Sequence, residues 1–334
     1  MTESKKVKEK ETPGKGAKVE KKRTGSGRKT KAGELVNTPY AEFVEEIMRS
    51  RIRVARDVIR CVLPPELQKY LDLSVLKVEK DTYVDEILRR RHLDVLYRTR
   101  LALSGFPLFI LFEHKSTLKP FEALDQGRGY QNLLYDEEVN IPVLNVLLHH
   151  TRERRRNAPL DFKKRLKMNE EERRGLSGDL MGLRIRVLDA GDPDLEKRVV
   201  FPLTKLFFRV LREIRYLSDE KRLIEFLKSS KDVFIGDKTG FVEKVLIFIY
   251  RAHGVKPEKM RELLEQYVHK EMGKMAMTTA EILREEGLKE GKKERELEIA
   301  GNMLADGQSV QYVMKMTGLT KKELEGAGLL QKAG

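Results

Sequence analysis

Two runs rich in β-branched, aromatic and aliphatic residues, Leu93–Leu103 and Phe106–Lys115, flank Ser104-Gly105. A period of two sends successive side chains to opposite faces of a strand. A glycine between two such runs supplies the positive φ of a tight turn. The segment is therefore predicted to be a β-hairpin. A two-residue loop pairs Leu103 with Phe106 and, counting back, sets Asp94 opposite Lys115. Glu113 and Lys115 then share one face, with His114 on the other. On the first strand, Val95, Tyr97, Thr99, Leu101 and Leu103 make the apolar face; Asp94, Arg98 and Arg100 lie on the wet one.

The pattern on both sides of the hairpin mixes helices and strands and becomes helical after residue 190. Residues 40–62 carry Phe43, Ile47, Ile52, Ala55, Val58 and Ile59 near helical spacing, and Pro64-Pro65 ends that helix. A short helix over Glu66–Leu73 and a strand from Leu76 follow. Lys119–Tyr135 is predicted as a helix that starts at Pro120, with Gly127 and Gly129 weakening it. Ile141–Leu148 is a continuous apolar run, the pattern of a central strand covered on both faces. The charged segment 152–178 is predicted as an exposed loop or insertion, and Gly182–Ala190 as a further strand. Helices are predicted over Phe201–Tyr216, Glu220–Leu227, Glu243–Tyr250 and Lys256–Lys270. A long charged helix, Thr279–Arg295, carries Gly287 and Gly291 and serves as a connector or a dimerisation helix. Glu296–Leu324 is helix, Asp306-Gly307 turn, helix, Thr317-Gly318-Leu319, helix. That pattern suits a helix-turn-helix that binds DNA and equally a helical hairpin for self-association.

Composition adds a partner. The 334 residues carry a net charge of +14, which points to a polyanion: nucleic acid first, an anionic membrane surface second. Residues 1–34 hold 12 Lys/Arg against 5 Asp/Glu, or +7, half of the total. Residues 1–36 have almost no large apolar side chain and are expected to stay disordered, as a solvated tail or a non-specific DNA-binding arm. Gly25-Ser-Gly-Arg-Lys-Thr lacks the preceding strand and the spacing of a phosphate loop. Cys61, the only cysteine, excludes an intrachain disulfide and falls on an apolar helix face. No stretch approaches the ~20 apolar residues of a membrane span, and the N-terminus has no hydrophobic signal core. A cytoplasmic location and no membrane partner are the expectation.

The candidate chemistry is on the hairpin. Two carboxylates converging at a strand end repel, and a divalent cation relieves that. Mg²⁺ is commonly held by one or two carboxylates, waters and substrate phosphate oxygens. A neighbouring lysine positions a water or stabilises developing charge. Asp94, then Glu113-His-Lys115 after 113 − 94 = 19 residues, looks like the PD-(D/E)xK nuclease signature, without its proline. The bland alternative is a strand-end ion pair between Glu113 and Lys115. Arg98 and Arg100 are read first as ordinary exposed arginines, with phosphate contact as the alternative, and His149-His150 as structural rather than metal-binding, since no second cluster with ligand spacing accompanies it. Gln126, Arg128 and Gln131 are weaker candidates for DNA contact.

The residues flanking this pattern carry a family resemblance. Thr82-Tyr-Val-Asp-Glu-Ile-Leu, Leu93-Asp-Val-Leu-Tyr-Arg-Thr and Leu111-Phe-Glu-His-Lys-Ser-Thr resemble the Rpn family of recombination-promoting nucleases. So do Ile141-Pro-Val-Leu-Asn-Val-Leu-Leu-His-His, Asn157-Ala-Pro-Leu-Asp-Phe, Glu286-Gly-Leu-Lys-Glu-Gly and the segment from Ala300 to Leu319. The resemblance implies an α/β fold: a restriction-endonuclease-like core, a central mixed sheet flanked by helices, with a helical C-terminal region. It implies Mg²⁺-dependent (or Mn²⁺-dependent) DNA endonuclease activity linked to recombination. Asp94, Glu113 and Lys115 would be the catalytic residues, with Asp94 and Glu113 holding the metal. The chain departs from the family at one point: a His-Asp pair usually follows the early proline, whereas Pro39 here precedes Tyr40-Ala41. Glu45 or Glu46 on the following helix is the candidate substitute.

The expected layout is a tail over 1–36, a nuclease-like domain over 37–190, a helical region over 191–277, and a long helix with a small helical unit over 278–334. DNA is the expected partner, with a homodimer through the C-terminal helices as a further possibility. Two other readings stand beside the nuclease: an inactive, nuclease-derived DNA-binding or self-assembling module, and a basic protein of membrane or ribosome surfaces.

Overall fold

The helical periodicity of residues 40–62 is divided between two helices, α1 (Pro39–Ser50) and α2 (Ile52–Val62). The expected single helix breaks at Arg51, which leaves helical φ/ψ at −119°/71° and donates through its guanidinium to the carbonyl of Thr239. The break lets both apolar faces, Phe43–Ile47 and Val54–Ile59, enter one core. The computed structural model describes residues 39–79, 95–115, 119–137, 141–150, 159–176 and 182–330. The tail 1–36, Asp94 and the continuation of the first strand past Glu79 lie outside these residues.

After α2, Pro64 and Pro65 open a single turn, α3 (Pro65–Gln68), and the chain enters strand β1 (Leu71–Val78). The expected helix over Glu66–Leu73 is thus cut short at Gln68, and its last residues, from Leu71, are strand. Leu73 and Leu76 point into the core, and β-sheet pairing outweighs the weak local helix signal. The hairpin forms as β2 (Val95–Leu101) and β3 (Pro107–Lys115). Its register differs from the expected one. Arg100 pairs with Pro107 and Val95 with Phe112, where a two-residue loop would have set Val95 against His114. The loop is residues 102–106, closed by Leu101 N–H to the Phe106 carbonyl (2.7 Å) and Gly105 N–H to the Leu101 carbonyl (2.9 Å). Gly105 has φ +70°, a conformation that favours glycine. The shift is two residues, so each side chain keeps its predicted face.

Helix α4 (Pro120–Glu137) crosses to the next strand, β4 (Val143–His149), which runs parallel to β3. Part of the segment expected to be irregular is ordered: β5 (Leu160–Asp161), a 3₁₀ turn, and α5 (Glu170–Gly175). Asn169 and Glu172 form a reciprocal capping box at the start of α5. Strand β6 (Arg184–Asp189) is parallel to β4 and antiparallel to β5. The described strands make one mixed sheet in the order β1-β2-β3-β4-β6-β5. The α/β architecture is therefore as expected, with β4 central.

The helical part follows as α6 (Leu195–Arg198), α7 (Pro202–Glu213), α8 (Glu220–Gly236), α9 (Phe241–His253) and α10 (Pro257–Tyr267). Then come α11 (Lys270–Ala305), α12 (Val310–Thr317) and α13 (Lys321–Gly326). The separately predicted stretches around Thr279–Arg295 are one helix of 36 residues. One hydrophobic core runs from Phe43 to Ala276 and joins α1, α2, one face of the sheet and α7–α10. A separate cluster of Ala300, Val313, Leu319 and Leu324 holds the end of α11 to α12 and α13. Among the described residues, no helix is long and apolar enough to cross a membrane.

Candidate active site

The two faces of β3 have different covers. Leu108, Ile110 and Phe112 join the large core beneath α1 and α2. Phe109 and Leu111 pack with Leu96, Tyr130, Leu134 and Ile141 beneath α4. Glu113 and Lys115 follow Leu111 on the α4 face, as alternation predicts, and His114 takes the other face. α4 can lie close to the sheet because Gly127 has no side chain: a Cβ there would meet Ile185 Cδ1 at 3.1 Å. The two glycines that weakened the helix prediction thus sit in a continuous helix, and a side chain at Gly127 would have to displace Ile185.

Glu113 is 9% exposed and meets Lys115 Nζ at 2.9 Å, while the lysine side chain remains 31% exposed. A carboxylate at that depth requires a partner, and the lysine supplies one while reaching toward solvent. A small cavity touches Glu113 and Lys115 and is walled by Gln126, Tyr130 and Asn145. Its volume is ≈ 10 Å³, about the space of one water. Gln126 donates to the Tyr130 hydroxyl at 2.6 Å, and Asn145 reaches Gln131 Oε1 at 3.4 Å. Arg128 lies apart from this cavity, 3.8 Å from Asp125 and over the Phe162 ring. Arg98 lies 3.9 Å from Glu79, and Arg100 pairs with Asp72 at 2.7 Å.

The parallel register extends the site beyond the hairpin. Lys115 is level with His149 on β4, and His149 with Asp189 on β6. His149 Nδ1 lies 4.0 Å from Asp189 Oδ1, and both side chains are buried. Asp189 also accepts from the N–H of Gly191 at 2.9 Å. Lys115, His149 and Asp189 therefore form a row across three parallel strand ends, on the face that carries Glu113. Sequence reasoning missed Asp189 and treated His149 only as half of a structural pair. The available signal was the position of each at the end of an apolar strand.

His150 lies on the opposite face. Its Nδ1 is 2.7 Å from His114 Nε2, the two rings are stacked, and Tyr40 stacks on His150 at 5.1 Å. Burial, then the neighbouring Arg215 and His149, hold the His150 pKa down to about 3. Burial, with His150 and then Lys115 nearby, holds His114 well below its ordinary value. Both rings are thus neutral at physiological pH. Tyr40, at the departure from the family pattern, fills an aromatic stack across the sheet from Glu113. Glu45 is tied to Arg49 at 2.8 Å and Glu46 to Lys244, so neither is directed at Glu113.

Glu113 offers hard oxygen donors of the kind magnesium takes. Among the described residues, no group of three His, Cys, Asp or Glu could hold a metal ion. Asp94 is the residue immediately before the first described residue of β2. The hairpin brings Glu113 and Lys115 together as predicted; Asp94 lies outside the described residues.

Two family profiles match the chain. Residues 38–239 match "Putative transposase, YhgA-like", and residues 293–328 match the C-terminal HTH domain of the Rpn/YhgA-like nuclease family. Recombination-promoting nuclease RpnA of Escherichia coli (strain K12) is 24% identical over 87% of this chain and 97% of its own length. Recombination-promoting nuclease RpnD of Escherichia coli O157:H7 is 36% identical over 19% of this chain and 24% of its own. A nuclease-like protein named as inactive, YjiP of strain K12, is 36% identical over 19% of this chain and 60% of its own. No solved structure matches.

Proposed function

The chain belongs to the YhgA-like transposase family, and we propose that it is a metal-dependent DNA endonuclease acting in recombination. The observation that carries this reading is the buried Glu113 carboxylate held by Lys115 at a strand end, in the Glu-x-Lys spacing of a nuclease motif. The name of the relative RpnA agrees with it. Asp94 and Glu113 would hold Mg²⁺ or Mn²⁺. When bound, such an ion lowers the pKa of a coordinated water and polarises the scissile phosphate. Lys115 fixes the Glu113 carboxylate and presents its partly exposed ammonium where negative charge develops on the phosphate. His149 and Asp189, fully buried, back the row and do not meet substrate. The reading places the chain in the cytoplasm with DNA as its partner, the C-terminal helices supplying self-association.

A second reading is an inactive nuclease-derived module that binds DNA or self-assembles. Tyr40-Ala41 in place of the family's His-Asp pair favours it, as does similarity to a relative named as inactive. One experiment separates the two: nicking of supercoiled plasmid with Mg²⁺, Mn²⁺, Ca²⁺ or EDTA. The nuclease reading expects nicking with Mg²⁺ or Mn²⁺ that Asp94→Ala, Glu113→Gln and Lys115→Ala each reduce by about 100-fold or more. Nicking that survives all three substitutions rejects the assigned residues. DNA binding without nicking selects the inactive module.

A further inference from the structure

A second concave site lies on the sheet face opposite Glu113. The C-terminal turns of α2, the start of β6 and residues 198–201 enclose a cleft of ≈ 930 Å³. That is at the upper end of the range for small-molecule sites, about 300–1,000 Å³. Five arginines line it, Arg53, Arg56, Arg60, Arg186 and Arg198, against a single carboxylate, Asp57. Asp57 is already engaged, accepting from Thr204 Oγ1 at 3.0 Å and lying 3.6 Å from Arg60.

The remaining guanidinium groups are positioned by uncharged partners. Arg198 donates to the Cys61 carbonyl at 2.6 Å and Arg56 to the Ser74 carbonyl at 2.8 Å. Arg53 stacks over the Phe201 ring at 4.0 Å. No hydrogen bond holds the Arg186 side chain to a described residue; burial, then the neighbouring Arg184, lower its pKa, while the Glu66 carboxylate nearby opposes them. Arg209 and Arg212 contrast with these, since they share Glu196. Arg53, Arg56 and Arg198 are thus held by uncharged groups and Arg186 has only the Glu66 carboxylate nearby, and together they offer planar forks suited to phosphate oxygens.

The cleft also has an apolar wall. Val200 is 90% exposed beside Phe201, and Pro64 and Val62 face them. A bare inorganic anion leaves that wall in water, whereas a ligand with phosphates and a planar ring uses both halves. The fold separates the cleft from the candidate active site. Arg186 shares its face of β6 with Leu188 and Ala190 in the core beneath α2, while Glu113 and Lys115 lie on the α4 face. A duplex seated on Glu113 would have to pass around the sheet edge to reach the cleft, so a free ligand fits better than continuous DNA.

We propose that this cleft binds a small phosphorylated ligand of the nucleotide class, with its phosphates on Arg56, Arg186 and Arg198 and its base against Val200 and the Arg53 guanidinium that lies over Phe201. The proposal does not rest on nuclease activity. The test is titration of the full chain with N-methylanthraniloyl-ATP in EDTA, followed by fluorescence. ATP, pyrophosphate, inorganic phosphate and a duplex oligonucleotide serve as competitors. The expected result is saturable binding displaced by ATP, with pyrophosphate at least 10-fold weaker. Arg186→Gln and the exposed Arg53→Ala each weaken binding at least 10-fold, and Glu113→Gln leaves it unchanged. Should Arg186→Gln fail to fold, Arg53→Ala decides, because its side chain leaves the core intact. Absence of saturable binding, or unchanged affinity in the arginine variants, overturns the proposal. Pyrophosphate competing as well as ATP reduces the site to a bare polyphosphate site and overturns the nucleotide class. Displacement by the oligonucleotide but not by ATP makes the cleft a nucleic-acid contact and overturns it too.

Discussion

His114, His150 and Tyr40 show how a single position reports on the whole site. The two imidazoles share a hydrogen bond, and Tyr40 covers the outer ring. In the unfolded chain each histidine takes a proton near pH 6.5. In the folded chain His150 resists protonation until about pH 3, and His114 is held well below its ordinary value. Between those limits the unfolded state binds more protons, so stability rises with pH and is lost as pH falls from about 6.5. Each histidine contributes a slope of at most about 1.4 kcal/mol per pH unit. Urea denaturation at pH 7.5, 6 and 5 is expected to show midpoints that fall with pH, and His150→Gln is expected to flatten that fall. An unchanged pH dependence in the variant would mean that other groups govern it. Cys61 gives a second residue-level test. It is 7% exposed, and burial pushes its thiol pKa up to about 11. Ellman's reagent at pH 7.5 is expected to react with it only at the rate of unfolding; rapid reaction of the native chain would contradict that burial.

At the scale of elements, α11 offers the clearest prediction. Gly287 and Gly291 lie in its interior, and a Cβ at either would meet nothing within 4 Å. Glycine in an exposed helix interior costs ~1 kcal/mol relative to alanine. Gly287→Ala and Gly291→Ala are each expected to raise the helicity of α11 and its local stability by ~1 kcal/mol, read by circular dichroism and hydrogen exchange. If these glycines instead form a close contact between two copies, the substitutions would lower the association constant measured by sedimentation. The same elements show what a sequence reveals. The faces of β2 and β3 were legible because alternation survives a shift of two residues. The register was not legible, because loops of different length preserve the same faces, and only pairing fixed Val95 against Phe112. Glu113 and Lys115 could be paired from sequence because residues two apart on a strand are neighbours. His149 and Asp189 could not, because their approach depends on parallel register between strands separated by long connections. The break at Arg51 was hidden because both halves of the periodicity serve one core.

Across the whole molecule, the large core and the C-terminal cluster are joined by a single helix whose residues 284–295 are all exposed. At 1.5 Å per residue, this bridge spans ~18 Å. The large core does not depend on the C-terminal cluster, so a chain ending at residue 290 is expected to keep its urea midpoint. Under the proposed function, the charge distribution predicts which part of the chain contributes most to DNA affinity. Residues 293–328, the segment matched as an HTH domain, hold 5 Lys/Arg and 6 Asp/Glu, a balance of 5 − 6 = −1. Residues 1–34 carry +7. Affinity for duplex DNA comes chiefly from cations that displace phosphate counterions, and its salt slope counts them. Removing the C-terminal unit is therefore expected to change affinity for a labelled 30-base-pair duplex by less than about threefold. Removing residues 1–34 is expected to weaken binding and to flatten the plot of log affinity against log salt by several units. Fluorescence anisotropy between 50 and 300 mM salt measures both. A loss of more than tenfold on removing residues 291–334, with the slope unchanged on removing the tail, would make the helical unit the principal DNA contact despite its charge. It would then have to bind through base-edge and helix-terminus contacts, since its net charge offers the phosphates no attraction.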